Sequence, residues 1–245
     1  MRLKSFLLVF LLLACSSPEN KNRELPLSSE ELSVQGCVEE SCAEVKITWP
    51  LVSEDKVGGK INQVILTNLT AYFRQDSVFA DLQSAAEDFV NSYVDFKNDF
   101  PDASGDWNVE LTVEKSYESD SLISFKISEF NFSGGAHPNS SINFLTFDKF
   151  NGELMTEEDF ILDKKVLLDK TEKAFREYHQ VPDSISLSED GQFFLPEGEF
   201  FLPNAIGFED GDLKLIYIPY EIGPYSLGYT TLGFDLNELE GVVKK

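Results

Sequence analysis

Val45, Ile47 and Trp49 alternate with polar neighbours up to Pro50, and this period of two predicts a strand over residues 43–50 with one buried face. The period then changes. Ile61, Ile65, Leu69 and Tyr72 recur at helical spacing after Gly58-Gly59, and a second helical stripe across residues 78–98 runs through Phe79, Leu82, Ala86, Tyr93 and Phe96. Beyond Pro101 the alternation returns. Trp107, Val109, Leu111 and Val113 share one face, as do Ile123, Phe125 and Ile127, and the YESDS between them predicts a hairpin turn. Phe130 and Phe132 extend the second strand until Gly134-Gly135 breaks it. Residues 141–148, SINFLTFD, predict a further strand, with a turn at Asn151-Gly152. Residues 157–179 look helical: Asp159, Phe160 and Leu162 start the helix or cap a short preceding turn, and Leu167 or Leu168, Thr171, Ala174, Phe175 and Tyr178 make one face. Short apolar runs at 193–195, 200–202, 213–218 and 230–234 predict strands, punctuated by Asp190-Gly191 and Asp210-Gly211, and LNELEGVV predicts a short terminal helix.

Strands and helices come in blocks rather than in strict alternation. The expected class is α+β, a mainly antiparallel sheet with packed helices, in two adjoining subdomains over residues 37–155 and 156–245. Ahead of them, Arg2 and Lys4 precede an apolar run from Phe6 to Ala14. That run is too short for ~30 Å of hydrocarbon, so residues 1–14 predict an export signal rather than a membrane span. It ends in Leu12-Leu13-Ala14-Cys15, which resembles the lipobox of bacterial lipoproteins; the plainer alternative is an ordinary signal peptide with a chance cysteine. The resemblance implies cleavage before Cys15 and acylation of Cys15. Each buried CH₂ contributes about 0.8 kcal/mol, so several acyl chains hold a protein stably on a membrane. Residues 15–36 then comprise the lipidated Cys15 and a disordered tether, rich in Ser, Glu and Asn. The expected place is the cell envelope, lipid-anchored. The lack of an Asp after Cys15 fits the outer membrane, facing the periplasm or the cell surface.

Acidic residues number 43 against 20 basic, a net charge of −23. Residues 1–14 carry two basic and no acidic side chains, so their removal leaves −25. Such a balance excludes nucleic acid as a partner, because phosphate recognition needs clustered Lys and Arg. With Cys15 acylated, Cys37 and Cys42 remain, and in an exported chain they predict a disulfide closing a tight loop or hairpin. The alternative is half of a metal site, for which no other Cys and only two His remain. No metal or cofactor is expected.

Two segments stand out. Ser133-Gly134-Gly135-Ala136-His137-Pro138-Asn139 joins two permissive glycines to a constrained His-Pro pair. Tyr217 to Gly228, YIPYEIGPYSLG, packs aromatics, prolines and glycines into a turn. Together with the TFD…NG-E turn and the acidic EEDF helix start, these segments resemble an exported bacterial domain-of-unknown-function family. That family is shared by the ectodomain of the anti-sigma-V factor RsiV and the N-terminal region of the peptidoglycan deacetylase PdaC. The likeness spans roughly residues 43–243 and implies two adjoining parts, one ending near each segment. No sigma-binding segment, transmembrane helix, separate deacetylase domain or metal-binding His cluster is read, so the ectodomain is what carries over. In the RsiV case the resemblance implies binding of lysozyme, a strongly basic protein. An acidic domain suits such a partner through electrostatic steering, although the same charge also serves solubility.

The resulting expectation is a non-catalytic cell-envelope lipoprotein whose RsiV-like domain binds a lysozyme-like cationic protein or a cell-wall glycan such as peptidoglycan. The candidate binding residues are Gly134, Gly135, His137 and Pro138 from the first segment, and Tyr220, Glu221, Pro224, Tyr225 and Gly228 from the second. No catalytic residue is assigned. The alternative is an envelope hydrolase acting on cell-wall polysaccharide through His137 and Glu221. Against it stand plainer readings: His137 locking its loop to a neighbour, and Glu221 satisfied by backbone N–H groups. Tyr217, Tyr220, Tyr225 and Tyr229 read equally as a binding platform or as core. His179 ends a helix, where a cation suits the dipole, and is given no function.

Overall fold

The computed structural model describes residues 24–53, 55–73 and 78–245. The export signal over 1–14, Cys15 and the tether as far as residue 23 lie outside the described residues.

Residues 27–36, expected in the tether, are strand instead. Strand β1 (Leu27–Val38) pairs antiparallel along its whole length with β2 (Ser41–Val52). Leu32 and Val34 pack on the core while Ser28 to Glu31, Ser33 and Gln35 face solvent. The polar composition that suggested a tether is that of an edge strand, where charge discourages pairing with foreign chains. Cys37 and Cys42 sit opposite each other across the hairpin and are disulfide-bonded.

The chain crosses from β2 to β3 (Trp107–Glu118) through two helices, α1 (Lys56–Tyr72) and α2 (Leu82–Asp99). The long connection makes β2 and β3 parallel, the one parallel pairing among the described strands. β4 (Leu122–Phe132) and β5 (Asn139–Asp148) complete a five-stranded sheet in the order β1-β2-β3-β4-β5. Val45, Ile47, Ile61, Ile65, Tyr93 and Leu111 are fully or almost fully buried between this sheet and its helices.

β4 is buried on both faces where it begins. Ile123 and Phe125 point into the first core, whereas Leu122 belongs to a second. That second core lies with helix α4 (Lys164–His179) and a three-stranded meander, β6 (Ala205–Glu209), β7 (Asp212–Tyr217) and β8 (Thr230–Asp235). A bulge in β3 between Lys115 and Tyr117 frees Ser116 to reach β6: its hydroxyl donates to Phe208 O at 2.6 Å, and its carbonyl accepts from Asp210 N at 3.2 Å. Lys126 and Glu209 pair at 2.8 Å across the same junction.

The sequence pattern errs in this second part. Residues 193–195 and 200–202 are not strands. Pro196 starts a single 3₁₀ turn (Pro196–Gly198), and Pro203 withholds a donor from any ladder. Phe193, Phe200 and Phe201 still pack in or against the second core from loops, while Phe194 is exposed. The strand is AIGFE, whose first four residues are all buried, so it shows no alternation to read. The helix over 157–179 breaks at Ile161, which bridges to Val243. This leaves a short α3 (Glu157–Phe160) ahead of α4, whose start Asp163 caps at Val166 N. The expected terminal helix is a 3₁₀ turn over Leu236–Leu239. A further one-turn helix, α5 (Leu187–Asp190), lies between α4 and the meander.

Candidate functional site

The two singled-out segments meet. The first is the loop from β4 to β5, and the second connects β7 to β8. Gly134 (φ 94) and Gly135 (φ 102) take backbone angles that other residues rarely adopt, which lets the chain double back at the end of β4. His137 then reaches the second loop. Its ring stacks on Tyr225 with centroids 3.9 Å apart and planes 16° from parallel, and its Nε2 lies 3.1 Å from the Tyr220 hydroxyl. Its Nδ1 lies 3.0 Å from the carbonyl oxygen of Pro138, which can only accept. The proton of a neutral ring is therefore on Nδ1, and Tyr220 donates to Nε2. Nearby, the Tyr229 hydroxyl donates to Ser140 Oγ at 2.8 Å, a second stitch between the loops.

Tyr220 is 55 % exposed and holds a left-handed φ of 72. Glu221 keeps it there. Glu221 Oε2 accepts from Ile218 N at 3.0 Å, and Oε1 accepts from both Asn204 N and Asn204 Nδ2 at 2.7 Å. The carboxylate thus ties the turn at Ile218 to Asn204, just ahead of β6. Pro224 precedes the 3₁₀ turn that carries Tyr225, and Gly228 (φ 70) ends it. Tyr217 does not belong to the platform: it is fully buried in the second core, with its hydroxyl donating to Phe201 O at 2.6 Å. Burial, with the nearby charges of Glu221 and Glu172, pushes its pKa far above the ordinary tyrosine value. His179 lies apart, beside Phe175 and Phe193, with Nε2 2.8 Å from Thr230 Oγ1.

The far side of the β4–β5 loop borders a cleft of ≈ 660 Å³. One wall is aromatic: Tyr72, Phe73, Phe89 and Trp107, with successive ring centroids 5.1, 6.3 and 5.6 Å apart. The other is polar: Glu129, Asn131, Ser133 and Ser141. Ser141 Oγ donates to Glu129 at 2.5 Å. Burial raises the Tyr72 pKa, the charge of Glu129 adds to the rise, and a hydrogen bond with Asn131 opposes it. Among the described residues no group of three or more His, Cys, Asp or Glu could hold a metal ion, and no helix is long and apolar enough to cross a membrane.

A family model described as Deacetylase PdaC matches residues 37–140, from the first disulfide cysteine through the GGAHPN loop. This part of the chain is similar to the PdaC family. Two solved structures of DUF3298 family proteins share the fold over both halves. One, from Pseudomonas aeruginosa PAO1, is 22% identical with a TM-score of 0.63, covering 89% of this chain and 95% of its own. The other, from Bacteroides fragilis NCTC 9343, is 16% identical with a TM-score of 0.71, covering 90% and 94%. At these identities the likeness is one of fold. No curated protein matches the chain significantly.

The PdaC-like part holds His137 and the cleft's lining except Ser141, while Tyr220 and Tyr225 also lie beyond the matched residues. Sequence periodicity missed the cleft, because its aromatics look like core positions of separate elements.

Proposed function

We propose that this PdaC-like protein is a non-catalytic, lipid-anchored protein of the cell envelope that captures a cationic protein through the loop surface of His137, Tyr220 and Tyr225. The supporting observation is Tyr220: a 55 % exposed aromatic, held in a strained conformation by Glu221 and by its neighbours' rings, on a chain of net charge −23. Exposed aromatics with a polar tip anchor protein interfaces at little conformational cost. Clustered negative charge draws a basic partner to them and sets how fast they meet. Against the hydrolase alternative, Glu221 already accepts hydrogen bonds on both oxygens, from Ile218 N and from Asn204.

The lipobox-like Leu12 to Cys15 supports the anchoring, and with it an outer-membrane address. Cys15→Ser is expected to move the protein from the membrane fraction to the soluble one. Unchanged membrane association would contradict the anchor. For the partner, calorimetric titration of the purified protein with lysozyme is expected to give binding at low salt that fades as salt screens it. No heat of binding at low salt would count against the reading.

A further inference from the structure

We infer that the cleft walled by Tyr72, Phe89, Trp107, Glu129 and Asn131 is a binding site for a neutral oligosaccharide. The inference stands apart from protein capture and rests on the two walls. A pyranose ring presents an apolar C–H face and a rim of hydroxyls. The rings of Tyr72, Phe73, Phe89 and Trp107 line one wall, packed edge-on or tilted against one another, and offer aromatic carbon to the first. The Glu129 carboxylate, which accepts one hydrogen bond from Ser141 and has capacity for more, together with the Asn131 amide, suits the second. The cleft's ≈ 660 Å³ lies within the range of small-ligand sites, about 300–1,000 Å³.

The same walls exclude other occupants. Among the described residues the charged side chains that line the cleft are Glu129 and Asp88, so an anionic ligand meets repulsion from them. A wholly apolar ligand would strip water from the polar wall and return no hydrogen bonds. The site is also pre-formed. Trp107 is backed by Phe96, stacked at 5.4 Å, and by Tyr93 at 5.4 Å, so the aromatic wall loses little freedom on binding.

The protein has two tryptophans, Trp49 and Trp107, so in a Trp49→Phe background Trp107 alone reports on the cleft. The full chain with this change would be titrated with cellotetraose, with the tetramer of β-1,4-linked N-acetylglucosamine, and with tetragalacturonate as the charged control. A saturable change in Trp107 emission with a neutral tetramer is expected, with the galacturonate much weaker. Glu129→Gln, which keeps the side chain's shape, is expected to weaken binding about tenfold or more, since hydrogen bonds to a charged acceptor are the strong ones. Its thermal transition should match the parent and so shows that the fold is intact. Tyr220→Ala should leave the saccharide titration unchanged, so failure of protein capture and failure of this site are read separately. No saturable change with either neutral tetramer would overturn the inference. So would binding that Glu129→Gln leaves intact, or galacturonate binding as well as the neutral sugars.

Discussion

Tyr220 holds a left-handed backbone that destabilises a bulky residue by on the order of 1–3 kcal/mol, and such strain persists only where neighbours over-determine it. Here Glu221 accepts one hydrogen bond from Ile218 N within the turn and two from Asn204 ahead of β6, and the Tyr220 hydroxyl is held on the His137 ring. His179 shows the opposite case, a histidine used for packing. Burial lowers its pKa, and the charge of Asp190 opposes that shift. The fold therefore favours the neutral ring, while the unfolded chain takes up a proton as pH falls below about 6.5. The unfolded state binds more protons in that window, so stability falls with pH there. Wild type is expected to lose more stability than His179→Gln between neutral pH and mildly acidic pH in denaturant titrations. Parallel losses would refute it. At this scale the sequence was informative about His137, whose Gly-Gly and Pro neighbours mark a shaped loop. For Glu221 the plainer reading, a carboxylate satisfied by backbone N–H groups, agrees with the bonds from Ile218 N and Asn204 N, but the sequence did not point to Asn204.

At the scale of elements, the junction of the two sheets depends on β6 lying close against β5. A Cβ placed on Gly207 would sit 2.2 Å from Phe144 Cγ, at the rigid base of that ring, so the strands can approach only because Gly207 has no side chain. Gly207→Ala is expected to destabilise the protein by about 1–3 kcal/mol through overpacking. For a chain of this size that lowers Tm by about 2–4 °C per kcal/mol. An unchanged Tm would mean that β6 moves freely against the first sheet. Elements with clear periods, such as β3, β4, α1 and α2, were legible in the sequence. β1 and β6 were not, and for opposite reasons. β1 is an edge strand whose polar residues imitate a tether, and β6 is so buried that its alternation vanishes. Proline placement was the signal that should have demoted residues 193–195 and 200–202 to loops.

For the whole molecule, two hydrophobic cores share β4, and Tyr117 and Leu122 from the first sheet lie in or against the second core. The α+β class was legible because periods of two and of 3.6 came in blocks. The convergence of His137 with Tyr220 and Tyr225 was not, since it joins residues 83 or more positions apart by tertiary packing alone. The net charge of −23 makes long-range attraction to any basic protein trivial, so attraction by itself does not distinguish docking from screening. The deciding measurement is the affinity of the purified protein and of Tyr220→Ala for lysozyme across a series of salt concentrations. Both have the same charge, so their salt slopes should run parallel. Docking on the loop surface predicts that the Tyr220→Ala curve lies about tenfold or more weaker at every salt concentration, as for an interface anchor residue. Superimposed curves, or no binding by either protein, would contradict it.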